Sequence, residues 1–399
     1  MSDTQFDIGK QFSWKRITIP ILFGLLAAAY LLIQSLNEER YVQVDPGVGQ
    51  FEWVDVNGNG IVEFNDPAEF APSENGEYVR KTFTDMLREQ EWSNHMLLAL
   101  FLALLSVIVR DGGYMLRIRM LTDKALSWRQ SFRVIMLWEF ASALTPSVVG
   151  GSGVAIFILN REGINLGKST ATIFVTALLD EMFYIVTVPV VLILLGTSSL
   201  FPEDWAGSTW LFNSIEPLFY VGYGFIVCLT TVICLSLFFF PHRFKRTVQR
   251  IFTLRFLRRW LRRATEMGND LIIASRELKG RKLGWWLKGF SITYVSWTAR
   301  FLTLNFILMA FTGNLDHILA LGKQLVMWVI MLISPTPGSS GVAELALDGF
   351  FQDMFDMGMT LFLIAIIWRV VTYFIYLFAG VLIFPRWLRA TKDKSPATA

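Results

Sequence analysis

Apolar runs near or beyond bilayer-crossing length decide what this chain can fold into. They lie near residues 17–36, 93–111, 169–197, 216–240, 286–311 and 358–384, and a helix needs about 20 apolar residues to cross roughly 30 Å of hydrocarbon. Lipid cannot satisfy open sheet edges, so these runs are read as helices. Of 399 residues, 53% are hydrophobic and 17% charged, and the mean hydropathy is +0.46. That leaves too little polar surface to enclose a soluble globule. The first run follows Lys10, Lys15 and Arg16 and ends at Gln34, Leu36 and Asn37 without a small-residue cleavage site. It reads as a retained signal anchor. Cys228 and Cys234 share one apolar run and read as core thiols with no disulfide framework.

Lys and Arg gather in 117–133, 242–288 and 386–394, whereas 37–91 and 201–205 are acidic. The positive-inside rule places the basic stretches, and both termini, in the cytoplasm of a bacterial inner membrane. Two further apolar stretches, 132–160 and 318–355, are broken in the middle. The first break holds Thr145, Pro146, Gly150, Gly151, Ser152 and Gly153; the second holds Pro335, Thr336, Pro337, Gly338, Ser339, Ser340 and Gly341. Proline removes an amide donor and glycine weakens a helix, so a continuous span through either break is costly. A re-entrant helical hairpin with its tip facing protein or a wet cavity is the expectation for each.

A Ser-Gly-Val-Ala sequence closes both breaks about 190 residues apart, and the spans beginning near 17, 93 and 169 recur near 216, 285 and 358. A three-span unit has odd parity, so the second copy is inverted, as in transporter folds whose broken helices meet near the midplane. The competing reading is that small residues only let helices pack closely. The expected fold class is an all-α membrane bundle with inverted repeats, about six full spans and two re-entrant hairpins. Its domains are the N-terminus and anchor (1–36), an acidic extracytoplasmic insert (37–92), a first core with the fourth span (93–240), a basic amphipathic segment (241–285), a second core (286–385) and a tail (386–399).

The second break, from Pro335 to Glu344, resembles a Pro-x-Pro-Gly-Gly-x-Gly-x-x-Glu pattern of the transmembrane region of lysylphosphatidylglycerol synthases and related flippase-like membrane proteins. The likeness is weaker over Thr145 to Gly153 and at Arg161-Glu162-Gly163, where the family often has Gly-Glu and this chain has Gly153-Val154. The resemblance covers most of 93–385. It implies a domain that moves or accommodates lipid-like amphiphiles, without the aminoacyl-transfer domain of bifunctional members, so aminoacyl-lipid synthesis by this polypeptide alone is not expected.

Asp180 and Glu181 lie mid-run in the third span, Arg300 in the fifth and Arg369 in the sixth. A charge at a helix centre costs a few kcal/mol unless paired or wetted, so these side chains are expected to face inward. Asp180 and Arg369 occupy equivalent places in the two repeats, which suggests a polar cluster of all four beneath the hairpin tips. Such a cluster either binds a lipid phosphate through its arginines or locks the helices as a buried ion-pair network. Glu139 and Glu344 are further candidates, Glu344 also reading as a charge at the start of a returning half-helix. The tip hydroxyls of Thr145, Ser152, Thr336, Ser339 and Ser340 either meet ligand or satisfy freed backbone groups.

Asp55-Val56-Asn57-Gly58-Asn59-Gly60-Ile61-Val62-Glu63-Phe64-Asn65-Asp66 matches a calcium loop, with ligands expected from Asp55, Asn57, Asn59, the Ile61 carbonyl, Glu63 and Asp66. Aspartate at the twelfth position implies weaker binding than glutamate. The alternative is a hairpin turning at Asn57-Gly58 or Asn59-Gly60. In 242–288 the apolar Val248, Ile251, Phe252, Leu254 and Phe256 among many cations predict an amphipathic helix on an anionic leaflet.

No nucleotide loop, metal-spaced His/Cys set or nucleophile elbow is present, so neither catalysis, a core cofactor nor nucleic-acid binding is expected. The partners expected are membrane lipids and a separately encoded lipid-modifying enzyme, and a homodimer is permitted. The function expected is translocation or binding of an anionic phospholipid or polyprenyl-linked amphiphile. The alternatives are a scaffold for that enzyme and a small-solute carrier.

Overall fold

The structure is a computed structural model that describes residues 33, 39–58, 62, 64, 66–144, 148–201, 215–253, 258, 261–331, 342–351, 354–355 and 358–391. The chain divides into two compact units, one of residues 1–92 with 354–370 and one of 93–353 with 371–399. The expected first span, the hairpin tips at 145–147 and 332–341, and much of the 201–205 loop lie outside the described residues.

In the first unit the acidic insert folds as a small sheet, an element that the all-α expectation did not include. It contains strands β1 (Glu39–Gln43), β2 (Gly49–Trp53), β3 (Phe70–Gly76) and β4 (Tyr78–Thr82), followed by helix α1 (Phe83–Glu89). All pairings are antiparallel, in the order β1-β4-β2-β3. Tyr41 and Phe70 stack at 3.9 Å between ring centres, and Tyr78 meets Phe70 edge-on at 5.1 Å. A small sheet buries little, so this aromatic cluster supplies most of its apolar contact. The 55–66 segment forms the connection between β2 and β3, so the hairpin is wider than the Asn-Gly dipeptides suggest.

The second unit is helical. Its elements are α2 (Asn94–Leu121), α3 (Trp128–Leu144), α4 (Val148–Arg161), α5 (Leu166–Leu195), α6 (Ile215–Cys234), α7 (Pro241–Phe252), α8 (Leu261–Leu278), α9 (Leu283–Phe311), α10 (His317–Met331) and α11 (Val342–Phe351). Helix α12 (Gly358–Arg369) belongs to the first unit, where it packs on α1 and β1, and α13 (Ile375–Ala390) returns to the second. Helices α2, α5 and α9, the stretch Ile215–Phe239 and the stretch Leu363–Ala390 are each long and apolar enough to cross a membrane. Many large apolar side chains on them, among them Phe101, Ile108, Ile193 and Phe225, are exposed on the protein surface, as lipid-facing residues must be. Cys228 is exposed too, not a core thiol, and Cys234 is half-buried.

Polar contacts fix the helix directions. Asp123, just past α2, bonds Lys168 at the start of α5 and Arg281 just before α9. Glu162, just past α4, bonds Arg133 in the second turn of α3 and Trp387 near the end of α13. All these ends therefore share one face, and the basic stretches of the sequence lie on it together. Helices α3 and α4 leave this face and return to it, forming a helical hairpin in the stretch 132–160.

The second hairpin enters from the opposite face. Helix α10 starts beside the end of α9, where Asn305 Nδ2 donates to the His317 carbonyl at 2.9 Å and Gln324 Nε2 to Asn305 Oδ1 at 2.6 Å. Lys323, early in α10, lies over the ring of Phe351 at the end of α11, so α11 comes back toward the face from which α10 left. The two hairpins thus point in opposite senses, as inverted repeats require.

Helices α2 and α9 form the central antiparallel pair. Gly113 makes that approach possible, because a Cβ there would collide with Ser296 Oγ. Within 241–285 the expected amphipathic stretch falls on α7, which carries Val248, Ile251 and Phe252. Only α7 is without buried residues, while α8 tucks Leu271, Ala274 and Leu278 against Val175 and Leu179 of α5. Leu254 and Phe256 lie outside the described residues.

Candidate functional site

Helix α2 runs about ten residues beyond the span read from sequence, and the extension carries Arg117, which joins Arg110 and Asp111 in organising the interior. Arg110, Tyr114 and Arg117 recur at i, i+4 and i+7, which sets them on one helix face. All three are buried. Tyr114 lies between the two guanidinium groups, 5.7 Å from Arg110 and 5.0 Å from Arg117. Segment 117–133 was expected to be wholly outside the membrane. Instead Arg117 reaches inward, as helical side chains lean toward the N-terminus.

Arg117 is the partner of Asp180. Its Nη1 donates to Asp180 Oδ1 at 2.5 Å and to Thr293 Oγ1 at 3.0 Å, and Trp297 Nε1 donates to the same carboxylate oxygen at 2.6 Å. Four side chains from α2, α5 and α9 thereby share one polar knot. The expectation that Asp180 pairs across to the arginines of the second repeat is corrected here: hydropathy counted Arg117 as a flank, when its compensating charge lies 63 residues away in sequence.

A second knot sits one to two turns along α2. Arg110 Nε donates to Asp111 Oδ1 at 3.0 Å, and Tyr376 on α13 donates its hydroxyl to Asp111 Oδ2 at 2.8 Å. Arg110 Nη2 lies 2.9 Å from Asp111 Oδ1, within ion-pair range but not aligned for a further hydrogen bond. Its guanidinium lies 4.7 Å from the Tyr376 ring centre. Glu139 on α3 is half-buried and adds its field to Arg110 and Asp111. Composition could not single out Arg110, Asp111 or Arg117. For Asp111 alone a signal exists, the 189-residue offset that separates it from Arg300 as it separates Asp180 from Arg369.

Arg300 is different. It is half-buried in the middle of α9, 5.1 Å from the Trp297 ring centre and 4.4 Å from that of Trp328. Among the described residues no carboxylate lies within ion-pair range of it. Nearby, Tyr184 Oη and Glu181 Oε2 are buried without a hydrogen-bond partner, and Tyr184 feels the charges of both Arg300 and Glu181. Phe183, Trp297 and Phe301 stack beside them. Arg300 and Glu181 thus stay near Asp180, as expected from sequence, but neither is bonded to it.

The other sequence candidates are placed as follows. Gly151, Ser152 and Gly153 lie in the first turns of α4; Gly151 packs on Ser142, whereas Gly153 faces open space. Glu344 is the third residue of α11, and its side chain is outside the described residues, as are Thr145, Pro146, Thr336, Pro337, Gly338, Ser339, Ser340 and Gly341. Arg369 ends α12 in the first unit and is buried.

In the calcium-like loop Asp55 Oδ1 accepts from the Gly58 amide, Asn57 Nδ2 donates to Glu69, and Asp66 caps the turn at Pro67–Glu69. Asn59, Ile61 and Glu63 lie outside the described residues. No metal-holding group of three His, Cys, Asp or Glu occurs among the described residues.

On the basic face Asp123 and Lys124 close the turn after α2 with φ of 53° and 61°. The Arg281 hydrogen bond, reinforced by Lys168, holds the Asp123 carboxyl at about 2 against an ordinary 3.8. A depressed carboxylate stabilises the fold above its unfolded pKa and loses that contribution as pH falls through the folded value. Between about pH 4 and pH 2, therefore, the unfolding midpoint should fall less steeply in Asp123→Asn than in the wild type. Thermal unfolding across that window is the check, and parallel curves would remove the assignment. The effect is modest, because Asp123 is 43% exposed and water screens it.

The fold and its two buried charge knots define a multi-pass α-helical membrane protein built around oppositely oriented helical hairpins. The chain belongs to the lysylphosphatidylglycerol synthase TM region family, whose profile matches residues 82–380. It is also similar to a UPF0104 membrane protein of Archaeoglobus fulgidus, at 24% identity over 267 residues, covering 64% of this chain and 75% of that protein. No solved structure matches the chain.

Proposed function

We propose that the helical unit binds an anionic amphiphile and passes it across a cytoplasmic membrane, with Arg300 receiving the headgroup charge and the basic face turned to the cytoplasm. The observation that carries this reading is the state of Arg300. Arg110 and Arg117 each have a carboxylate, whereas Arg300 sits mid-span with two indole faces and, among the described residues, no counter-ion. A lone cation at that depth is costly, and an arriving phosphate or phosphate-like group lowers the cost through two-pronged hydrogen bonding. The indoles hold the guanidinium plane while leaving its N–H edge available. Membership of the family, together with the opposed hairpins, supports a passage for lipid-like substrates, either an anionic phospholipid or a polyprenyl-linked lipid.

In liposomes carrying fluorescent phosphatidylglycerol, the wild type should equilibrate the label between leaflets, and Arg300→Gln should slow this about tenfold or more, the scale of one lost charge-assisted bond. The variant's melting temperature should stay close to that of the wild type. Equal rates for the two proteins, or no movement by the wild type, would overturn the reading.

A further inference from the structure

A shallow crevice open to the surface lies among α5, α8 and the start of α9, lined by Lys168, Thr172, Glu277, Leu278, Arg281 and Trp285 among others. Two of its donors are unused: Thr172 Oγ1 and Trp285 Nε1 are buried with no hydrogen-bond partner. Thr172 is only 2% exposed. Buried polar groups are normally paired, so two orphans lining one crevice ask for a visiting acceptor.

Lys168 and Arg281, which also hold Asp123, bring positive charge to the rim, and Glu277 brings a negative one. Helix α9 begins here and presents the positive end of a 29-residue helix, whereas the start of α5 is capped by Asn165, whose Oδ1 accepts from the Lys168 amide at 2.8 Å. The residue preceding α9, Lys282, caps it with no side-chain hydrogen bond. Lys168 and Arg281 stand at the rim, and the Arg281 guanidinium lies 5.1 Å from the Trp285 ring centre. Their shared partner Asp123 does not line the crevice, and Glu277 is exposed. We infer that this crevice is a binding site for a phosphate-bearing anion at the membrane surface, with the Thr172 hydroxyl and the Trp285 indole N–H as its inner donors and Lys168 and Arg281 as its cationic rim. The inference does not depend on what Arg300 does.

The test uses the full chain in detergent and the variant Thr172→Val/Trp285→Phe, which removes both donors but keeps shape and the Asp123 ion pairs. Binding of short-chain phosphatidylglycerol is counted by native mass spectrometry, inorganic phosphate is titrated by calorimetry, and dioctanoylglycerol serves as the uncharged control. The wild type should bind the anion at least about tenfold more tightly than the variant, the scale of a lost bond to a charged group. A loss seen with both probes identifies phosphate itself as the ligand; a loss with the lipid alone identifies the headgroup of a membrane lipid. Unchanged affinity for both probes, or dioctanoylglycerol bound as well as phosphatidylglycerol, overturns the site. Thr172→Val alone, with the indole intact, gives the same reading at smaller amplitude should the double variant unfold.

Discussion

Arg117→Gln should lower the stability of the helical unit by about 3–5 kcal/mol, the cost of leaving a buried carboxylate without its counter-ion. The side chains of Arg117 and Asp180 are 6% and 24% exposed, and Asp180 sits midway along a 30-residue apolar helix. With Arg117 gone, Asp180 keeps the Trp297 indole bond but no positive charge. The melting temperature in detergent should fall by on the order of 10 °C. Arg117→Met combined with Asp180→Leu should recover most of that loss, because removing both ions also removes their desolvation penalty. A loss below about 1 kcal/mol in the single variant would mean that the pair behaves like an exposed surface bridge. The same pair of variants separates lock from passage. If the double variant folds and matches the wild type in the leaflet assay, the Arg117 knot is structural and the proposed passage does not use it.

Hydropathy and punctuation made the membrane architecture legible. Runs such as 169–197 and 286–311 correspond closely to Leu166–Leu195 and Leu283–Phe311. The proline-containing clusters marked the hairpins, because a missing amide disfavours a helix whatever surrounds it, although Gly150, Gly151 and Gly153 of the first cluster lie within α4. The end of α2 was not legible for the opposite reason. Arg110, Asp111 and Arg117 look like a span's flank until Asp180, Thr293 and Tyr376 are folded against them, and those partners lie 63, 176 and 265 residues away. Asp180, Glu181 and Arg300 were recognised as inward-facing, since apolar sequence on both sides leaves a charge no other choice. Which cation would meet which anion depended on helix packing, and packing at Gly113 rests on the absence of one methyl group. The sheet of the first unit was missed because its strands have only five to seven residues, short enough for Asn-Gly and Pro signals to dominate the reading.

Glu162→Ala should be the second most damaging substitution on the basic face, at about 3 kcal/mol. The carboxylate has no exposed surface, yet it is well satisfied: Gln130 Nε2 donates at 3.1 Å, Arg133 Nη2 at 2.9 Å and Trp387 Nε1 at 2.9 Å. Each bond to a charged acceptor contributes about 1.5–3 kcal/mol, and orphaning a buried donor costs about 1–3 kcal/mol. Gln130 and Arg133 can turn to water, since Arg133 is 37% exposed, but the Trp387 bond is buried. The loss therefore concentrates where α13 meets the first hairpin. Hydrogen exchange should speed up over the last two turns of α13 and the start of α3, while amides around Asn305 and Gln324 on the opposite face stay protected. Glu162→Gln keeps the volume and one acceptor oxygen and should lose about half as much. Uniform loosening of the whole bundle in Glu162→Ala would show that this carboxylate acts on global stability and does not specifically tie the last span to the hairpin.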